Sequence, residues 1–173
     1  MLLPLEPDDV VVLVNEWGTA PRVEAGEAAQ AYPPVSLVVP PDTVRFDDAA
    51  LTGIADLLHP VFAAPSSAER VRLMDDLLAR AGTTVRLALA DDQVTAEWRP
   101  ADRSDSLLVA ALRTLHDMLV ERGLDAIGTC DADACVDVWI DRPRGRPRRY
   151  CSDTCSGRAR VTAFRRRRRE ERP

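Results

Sequence analysis

The chain has 173 residues, 46% of them apolar, and a formal net charge of −5, which suits one main body with a real core plus a small appended module. It contains no run of about eighteen apolar residues, which excludes a helical membrane span. Its first residues lack the basic flank and apolar stretch of a secretory signal, so a cytoplasmic location is expected.

The net charge hides an asymmetry. Residues 1–129 carry 10 arginines against 21 carboxylates, whereas residues 130–173 carry 13 against 7. An acidic body joined to a basic tail is the pattern of a regulatory body with a nucleic-acid-binding segment. All 23 basic residues are arginine. That usage fits a GC-rich coding sequence, so arginine alone says little about phosphate recognition.

In chain order, the β-branched run Val10 to Val14 predicts a buried strand, or a strand entering a helix, broken by Asn15-Glu16-Trp17-Gly18. Residues 18–46 are rich in Pro, Gly and Ala, with a short strand predicted from Ser36 to Val39 ahead of Pro40-Pro41. Asp47 to Leu58 predicts a helix ending before His59-Pro60, because the residue before a proline is pushed out of helical geometry. Ser66 and Glu69 form a capping-box signature. The helix that follows places Val71, Met74, Leu77, Leu78 and Ala81 on one face and closes at Gly82. Thr84–Ala90 and Gln93–Trp98 predict a hairpin turning at Asp91-Asp92, with Val85, Leu87 and Leu89 on a buried face. A last body helix starts near Ser104 or Asp105, carries Leu108, Leu112, Leu115 and Leu119, and ends at Gly123. With no flexible linker after it, the C-terminal module is expected to pack against that helix.

That module holds all four cysteines: Cys130 and Cys135 in a C-x4-C hook, Cys151 and Cys155 in a C-x3-C hook, fifteen residues apart. Two hooks with a hairpin-sized spacer can wrap four thiolates into a tetrahedron around Zn2+. A reducing cytosol favours metal over disulfides. Neither hook is C-x-x-C and no proline follows the last cysteine, which favours one structural zinc over a redox pair or an iron–sulfur cluster. Between the hooks, Val136 to Asp141 alternates as a strand, and Arg142 to Pro147 reads as an exposed turn. Ser152 or Asp153 caps a helix running into Arg165–Arg169, with Cys155 in its first turn, where the helix dipole favours a thiolate. So small a module needs the metal to fold.

Cys130-x4-Cys135, Asp141, Arg148-Arg149-Tyr150-Cys151 and Cys155-Ser156-Gly157-Arg158-Ala159-Arg160 together resemble the CGNR zinc-finger family, found in bacterial proteins described as stress-induced transcription regulators. The chain departs from the signature Cys-Gly-Asn-Arg at Ser156 and Gly157, and Tyr150 stands where a tryptophan is usual. Upstream, Leu13 to Trp17 resembles the opening of the ABATE domain that accompanies this finger, and Trp98-Arg99-Pro100 with the leucine-rich helix resembles its end. The resemblance implies an α+β body over residues 1–125, a zinc finger with an arginine-rich helix over 126–173, and a DNA-associated regulatory role.

The leading functional expectation is a zinc-dependent protein that binds double-stranded DNA, with transcription machinery as a further partner. Arg148, Arg149, Arg158, Arg160, Arg165, Arg166, Arg167, Arg168 and Arg169 would meet phosphates, and Arg144 and Arg146 would reach a groove. The alternative is a non-enzymatic adaptor using the same finger on RNA or an acidic protein. Trp139, Tyr150 and Phe164 are the module's only aromatics, and at least two are expected in its core, which counts against single-strand stacking. Catalysis is not expected. The pairs Asp47-Asp48, Asp75-Asp76 and Asp91-Asp92 read as solvated faces, His59 and His116 as ordinary residues, and no nucleophile motif or phosphate loop occurs. The acidic body is left to sense a ligand or mediate dimerisation. A pocket beside Asn15, Glu16 and Trp17 is weighed against a simple packed tryptophan.

Overall fold

The computed structural model describes residues 5–39, 46–90, 92–141 and 148–170. The fold is α+β. The helices are α1 (Pro7–Trp17), α2 (Thr19–Glu24), α3 (Asp48–Ala63), α4 (Ser67–Arg80), α5 (Ser106–Arg122) and α6 (Asp153–Glu170). The strands form two antiparallel hairpins, β1 (Thr84–Ala90) with β2 (Gln93–Arg99) and β3 (Ile127–Thr129) with β4 (Val138–Ile140). Among the described residues, no helix is long and apolar enough to cross a membrane.

The valine run at residues 10–14 is helical, not extended. Pro7 pre-sets the first turn, and Glu6 and Asp9 exchange side-chain-to-backbone hydrogen bonds in a capping box. Val10, Leu13, Val14 and Trp17 then recur at helical spacing and are wholly buried, so core packing overrides β-propensity. The chain turns at Gly18, where an added Cβ would lie 2.3 Å from the Val14 carbonyl oxygen. The short helix α2 follows. Its first turn is capped by Asp56 of α3, which accepts from the Thr19 N–H and hydroxyl, both at 2.7 Å. No strand forms at Ser36–Val39. Val35–Leu37 make a single 3-10 turn that sets Val38 and Val39 into the core, and Pro40-Pro41 lie outside the described residues.

Helix α3 does not stop at His59. It runs through Pro60 to Ala63, because Pro60 and Asp56 both lie on the exposed side and the carbonyl freed by the missing N–H can meet water. Burying Val61 and Phe62 beyond the proline favours continuation. Its end is capped by Arg70 of α4, whose guanidinium donates to the carbonyls of Val61 (3.0 Å) and Phe62 (3.4 Å) and also to that of Leu124. Arg70 therefore ties α3 to the segment entering the cysteine module.

Helix α4 begins at Ser66, which accepts from the Glu69 N–H at 3.2 Å, but only half of the box forms. The Glu69 carboxylate turns outward to Arg72 instead. Met74, Leu77 and Ala81 are buried, whereas Val71 is exposed one turn too early for the core. Gly82 ends the region with a positive φ of 56°. The β1–β2 hairpin forms in the expected register, with Asp92 at φ 62° in its turn; Asp91 lies outside the described residues. The predicted burial of Val85, Leu87 and Leu89 does not occur, because none of the described residues covers that face.

The hydrophobic core lies among α1, α3 and α5, with Met74 and Leu77 from α4 at its margin. Ile127, Val138 and Ile140 of the second hairpin belong to the same core. The module is packed on the body as expected, but chiefly on α1 and α3. Arg122, at the end of α5, adds a hydrogen bond to the Asp141 carbonyl at 2.8 Å.

Candidate metal centre and nucleic-acid interface

The first cysteine hook lies between β3 and β4. The Cys130 N–H donates to the Asp137 carbonyl at 2.8 Å, extending the ladder one step past Thr129. Ala134, with φ 55°, turns the chain back toward Cys135. Trp139 lies across Gly128, its cross-strand partner, and donates from Nε1 to the Thr129 carbonyl at 2.8 Å. A Cβ at residue 128 would approach the Trp139 ring to 2.7 Å, so only glycine admits this lid.

The second hook is built on the start of α6. Ser152 caps the helix: its Oγ accepts from the Cys155 N–H at 3.3 Å, and its carbonyl accepts from the Ser156 N–H at 3.1 Å. Cys155 therefore sits in the first turn, as the sequence predicts. The two hooks are fastened by Asp131 and Arg149, which share a backbone hydrogen bond and a 2.8 Å ion pair. Asp141 accepts from the Arg148 N–H at 2.7 Å and so closes the loop between the strand and the second hook.

These supports bring all four sulfurs within 4.8 Å of one another. Cys135–Cys151, Cys151–Cys155 and Cys155–Cys135 are 3.7, 3.6 and 3.8 Å apart. Tetrahedral zinc with Zn–S bonds of about 2.3 Å requires sulfurs about 3.8 Å apart, so the set fits one Zn2+. All four are free thiols, with Cys130 and Cys155 buried. Four protein ligands saturate a tetrahedral ion and leave no open position, which is the structural type of site. The histidines lie elsewhere: His59 Nε2 is 2.9 Å from the Val136 carbonyl, and His116 packs on Trp98.

Without metal, burial pushes the Cys135 thiol up to about 12, and burial also raises Cys151, with the nearby Asp137 carboxylate adding to the shift. Burial opposes ionisation of Cys155 too, but hydrogen bonds from Ser152 and the neighbouring thiols outweigh it and hold this thiol below its ordinary value. Arg158 Nη2 lies 3.6 Å from Cys155 Sγ, a charge-assisted donor to the same sulfur. Of Cys135, Cys151 and Cys155, only Cys155 is shifted toward ionisation.

The arginines fall into two groups. Arg149 is paired with Asp131, Arg158 faces a cysteine sulfur, and Arg148 is half-buried beside Asp141. Arg149 and Arg158 are exposed, as is every residue from Arg160 to Arg169, so contacts with the module rather than exposure separate the groups. Arg168 covers the Phe164 ring at 5.7 Å, and Phe164 is itself open to solvent, while Trp139 is buried and Tyr150 packs against the cysteines. Arg158, Thr162 and Arg165 line a shallow cleft of about 310 Å3 between α6 and Ala132-Asp133. Arg144 and Arg146 lie outside the described residues.

Sequence reasoning missed three structural groups. Asn15 clamps β4 through its amide. Arg22 is buried, donating to the carbonyls of Glu16, Glu27 and Gln30 and lying 4.2 Å over the Tyr32 ring. Arg70 caps α3. Their partners are mostly backbone carbonyls brought close by the fold, and these carry no sequence signal. Trp17 is buried and donates to Asp48 at 3.2 Å, so the packed-tryptophan reading describes that corner.

The site thus defines a small structural zinc module of four cysteines, made of a hairpin and a helix. The family model of the CGNR zinc finger matches residues 127–168, about a quarter of the chain, and that stretch is similar to it. No curated protein matches the chain.

Proposed function

We propose that the chain is a zinc-dependent DNA-binding protein of the cytoplasm and a regulator of transcription, with α6 as its contact element. The observation that carries this reading is the division of α6. Its first turn is fixed by Cys155 and Ser152, while its distal half, Arg160 to Arg169, is exposed and strongly basic. Closely spaced arginines on one helix repel each other, and a polyanion relieves that repulsion. Zinc holds the helix at a defined angle to the body, and Arg165 to Arg169 meet successive phosphates. Arg149 and Arg158 serve the module itself and contribute less to the contact.

The acidic body, read as ABATE-like from Leu13 to Trp17 and from Trp98 onward, then limits non-specific attraction to DNA. We read the protein as non-catalytic: Asp47 caps α3, Asp48 holds Trp17, and Asp76 pairs with Arg72. The exposed Phe164 supports a second reading, an RNA-binding adaptor in which this ring stacks on an unpaired base.

Fluorescence anisotropy with duplex DNA, single-stranded RNA and an acidic peptide tests these readings. Duplex binding should have a log–log salt slope of about −4, as expected for four to five neutralised phosphates. Replacing Arg167, Arg168 and Arg169 with Ala should flatten that slope by about 2 to 3. Preference for RNA, with loss on Phe164→Ala, would favour the adaptor, and absence of any duplex binding at low salt would defeat the DNA reading.

A further inference from the structure

The β1–β2 hairpin has two unlike faces. Val85↔Trp98, Leu87↔Ala96 and Leu89↔Val94 pair across one face, and Arg86↔Glu97 and Ala88↔Thr95 across the other. The first face carries no charge, yet among the described residues only its Trp98 end is covered, by His116 of α5 with ring centroids 5.2 Å apart. Beyond that contact Leu87 is 76% exposed, Leu89 73%, Val94 72% and Val85 53%. A solvated hairpin would turn its polar face outward and its apolar face to a core; this one offers aliphatic side chains to water. A two-stranded sheet is marginal by itself, and its apolar face needs a second layer.

We propose that a second copy of this chain supplies that layer, in a symmetric dimer whose two hairpins pack face to face. Three observations select a copy over another partner. The face is a flat strip of alternating aliphatic side chains, and two such strips interdigitate at the roughly 10 Å separation of packed sheets. A two-fold axis requires the same patch on both partners, which a uniform strip meets.

Area is the second ground. The four side chains expose roughly 500 Å2 per copy, the size of the largest and often functional apolar patch on a soluble monomer. Mutual cover would remove about 1,000 Å2, and the flanking strand edges bring the total toward the 1,200–2,000 Å2 of stable interfaces.

The third is charge. Residues 84–99 hold two arginines and three carboxylates, close to balance, within a body that is otherwise strongly acidic. Two copies can therefore meet at the hairpin without the like-charge repulsion the rest of the body would impose. A strongly basic or acidic partner finds no complementary charge on the strip.

Sedimentation equilibrium on the full-length, zinc-loaded protein, without DNA, tests the proposal. The wild type should reach twice its monomer mass between about 1 and 100 μM, the micromolar range of modest interfaces. Leu87→Glu and Val94→Glu, at positions already exposed in the monomer, should weaken association at least tenfold while leaving the circular dichroism and Tm of the monomer unchanged. Thr95→Glu, on the opposite face, should keep the dimer. A monomer at every concentration, a dimer indifferent to Leu87→Glu and Val94→Glu, or one lost equally with Thr95→Glu would overturn it.

Discussion

Asn15 of α1 and Val138 of β4, 123 residues apart in sequence, exchange two hydrogen bonds: the Val138 N–H donates to Asn15 Oδ1 at 2.7 Å, and Asn15 Nδ2 donates to the Val138 carbonyl at 3.1 Å. The side-chain amide takes the place of a neighbouring strand and satisfies a backbone pair at a strand edge that would otherwise be orphaned. The zinc hairpin is thereby tied to α1, beside the links that His59 makes to Val136 and Arg122 to Asp141. Asn15→Ala removes both partners of a half-buried peptide and should cost about 2 kcal/mol, measured as a lower urea midpoint with unchanged m-value. Asn15→Leu, which fills the space without hydrogen bonding, should be as damaging. Wild-type midpoints for both would show that the clamp contributes nothing.

Ile127, Val138 and Ile140 sit in the body's core, so losing the metal should loosen more than the finger. Chelation should lower the Tm of the whole protein by several degrees in a single transition and change Trp139 fluorescence together with far-UV circular dichroism. Two separate transitions, with the body unaffected, would show instead that the modules are energetically independent.

Zinc binding should release protons. The Cys135 thiol lies near 12 without metal and Cys151 is raised as well, so both are protonated at neutral pH and must lose a proton to bind. Their raised values favour the thiol, so affinity falls as pH is lowered, by up to about tenfold per pH unit for each proton displaced. Competition titrations between pH 6 and 8, with calorimetry in buffers of differing ionisation enthalpy, would count the protons. A pH-independent affinity would mean that the thiolates are already formed.

Arg158, though exposed, places its Nη2 3.6 Å from the Cys155 sulfur. Arg158→Gln should therefore weaken zinc affinity by about tenfold, in line with outer ligands of metal sites. The DNA salt slope should change by less than 1. The opposite pattern, with intact zinc affinity and a reduced slope, would make Arg158 a phosphate contact.

The metal site was legible because its information is local: two hooks, a cap at Ser152 and a helix through Cys155 follow from neighbouring residues. The hairpin register was legible for the same reason. Misreadings arose where distant packing decided the outcome. The apolar run at residues 10–14 favours a strand until Trp17, the spacing of Val10, Leu13 and Val14, and the capping box at Glu6 and Asp9 are weighed together. Pro60 reads as a stop unless one knows that its side of α3 faces water. The burial expected for Leu87 and Leu89 is absent because alternation reports an apolar face without naming what covers it. Arg22 and Arg70 resemble surface charges until the carbonyls around them are in place.

The central claim is that zinc fixes α6 so that its arginines can meet duplex DNA, and one titration tests it most directly. A labelled duplex should be titrated at low salt with the same sample zinc-loaded, stripped by chelator and reloaded, the metal being counted at each stage. The account predicts one zinc per chain, duplex binding that weakens at least tenfold on stripping, and full recovery on reloading. Equal binding with and without the metal, or a chain carrying no zinc at all, would contradict it.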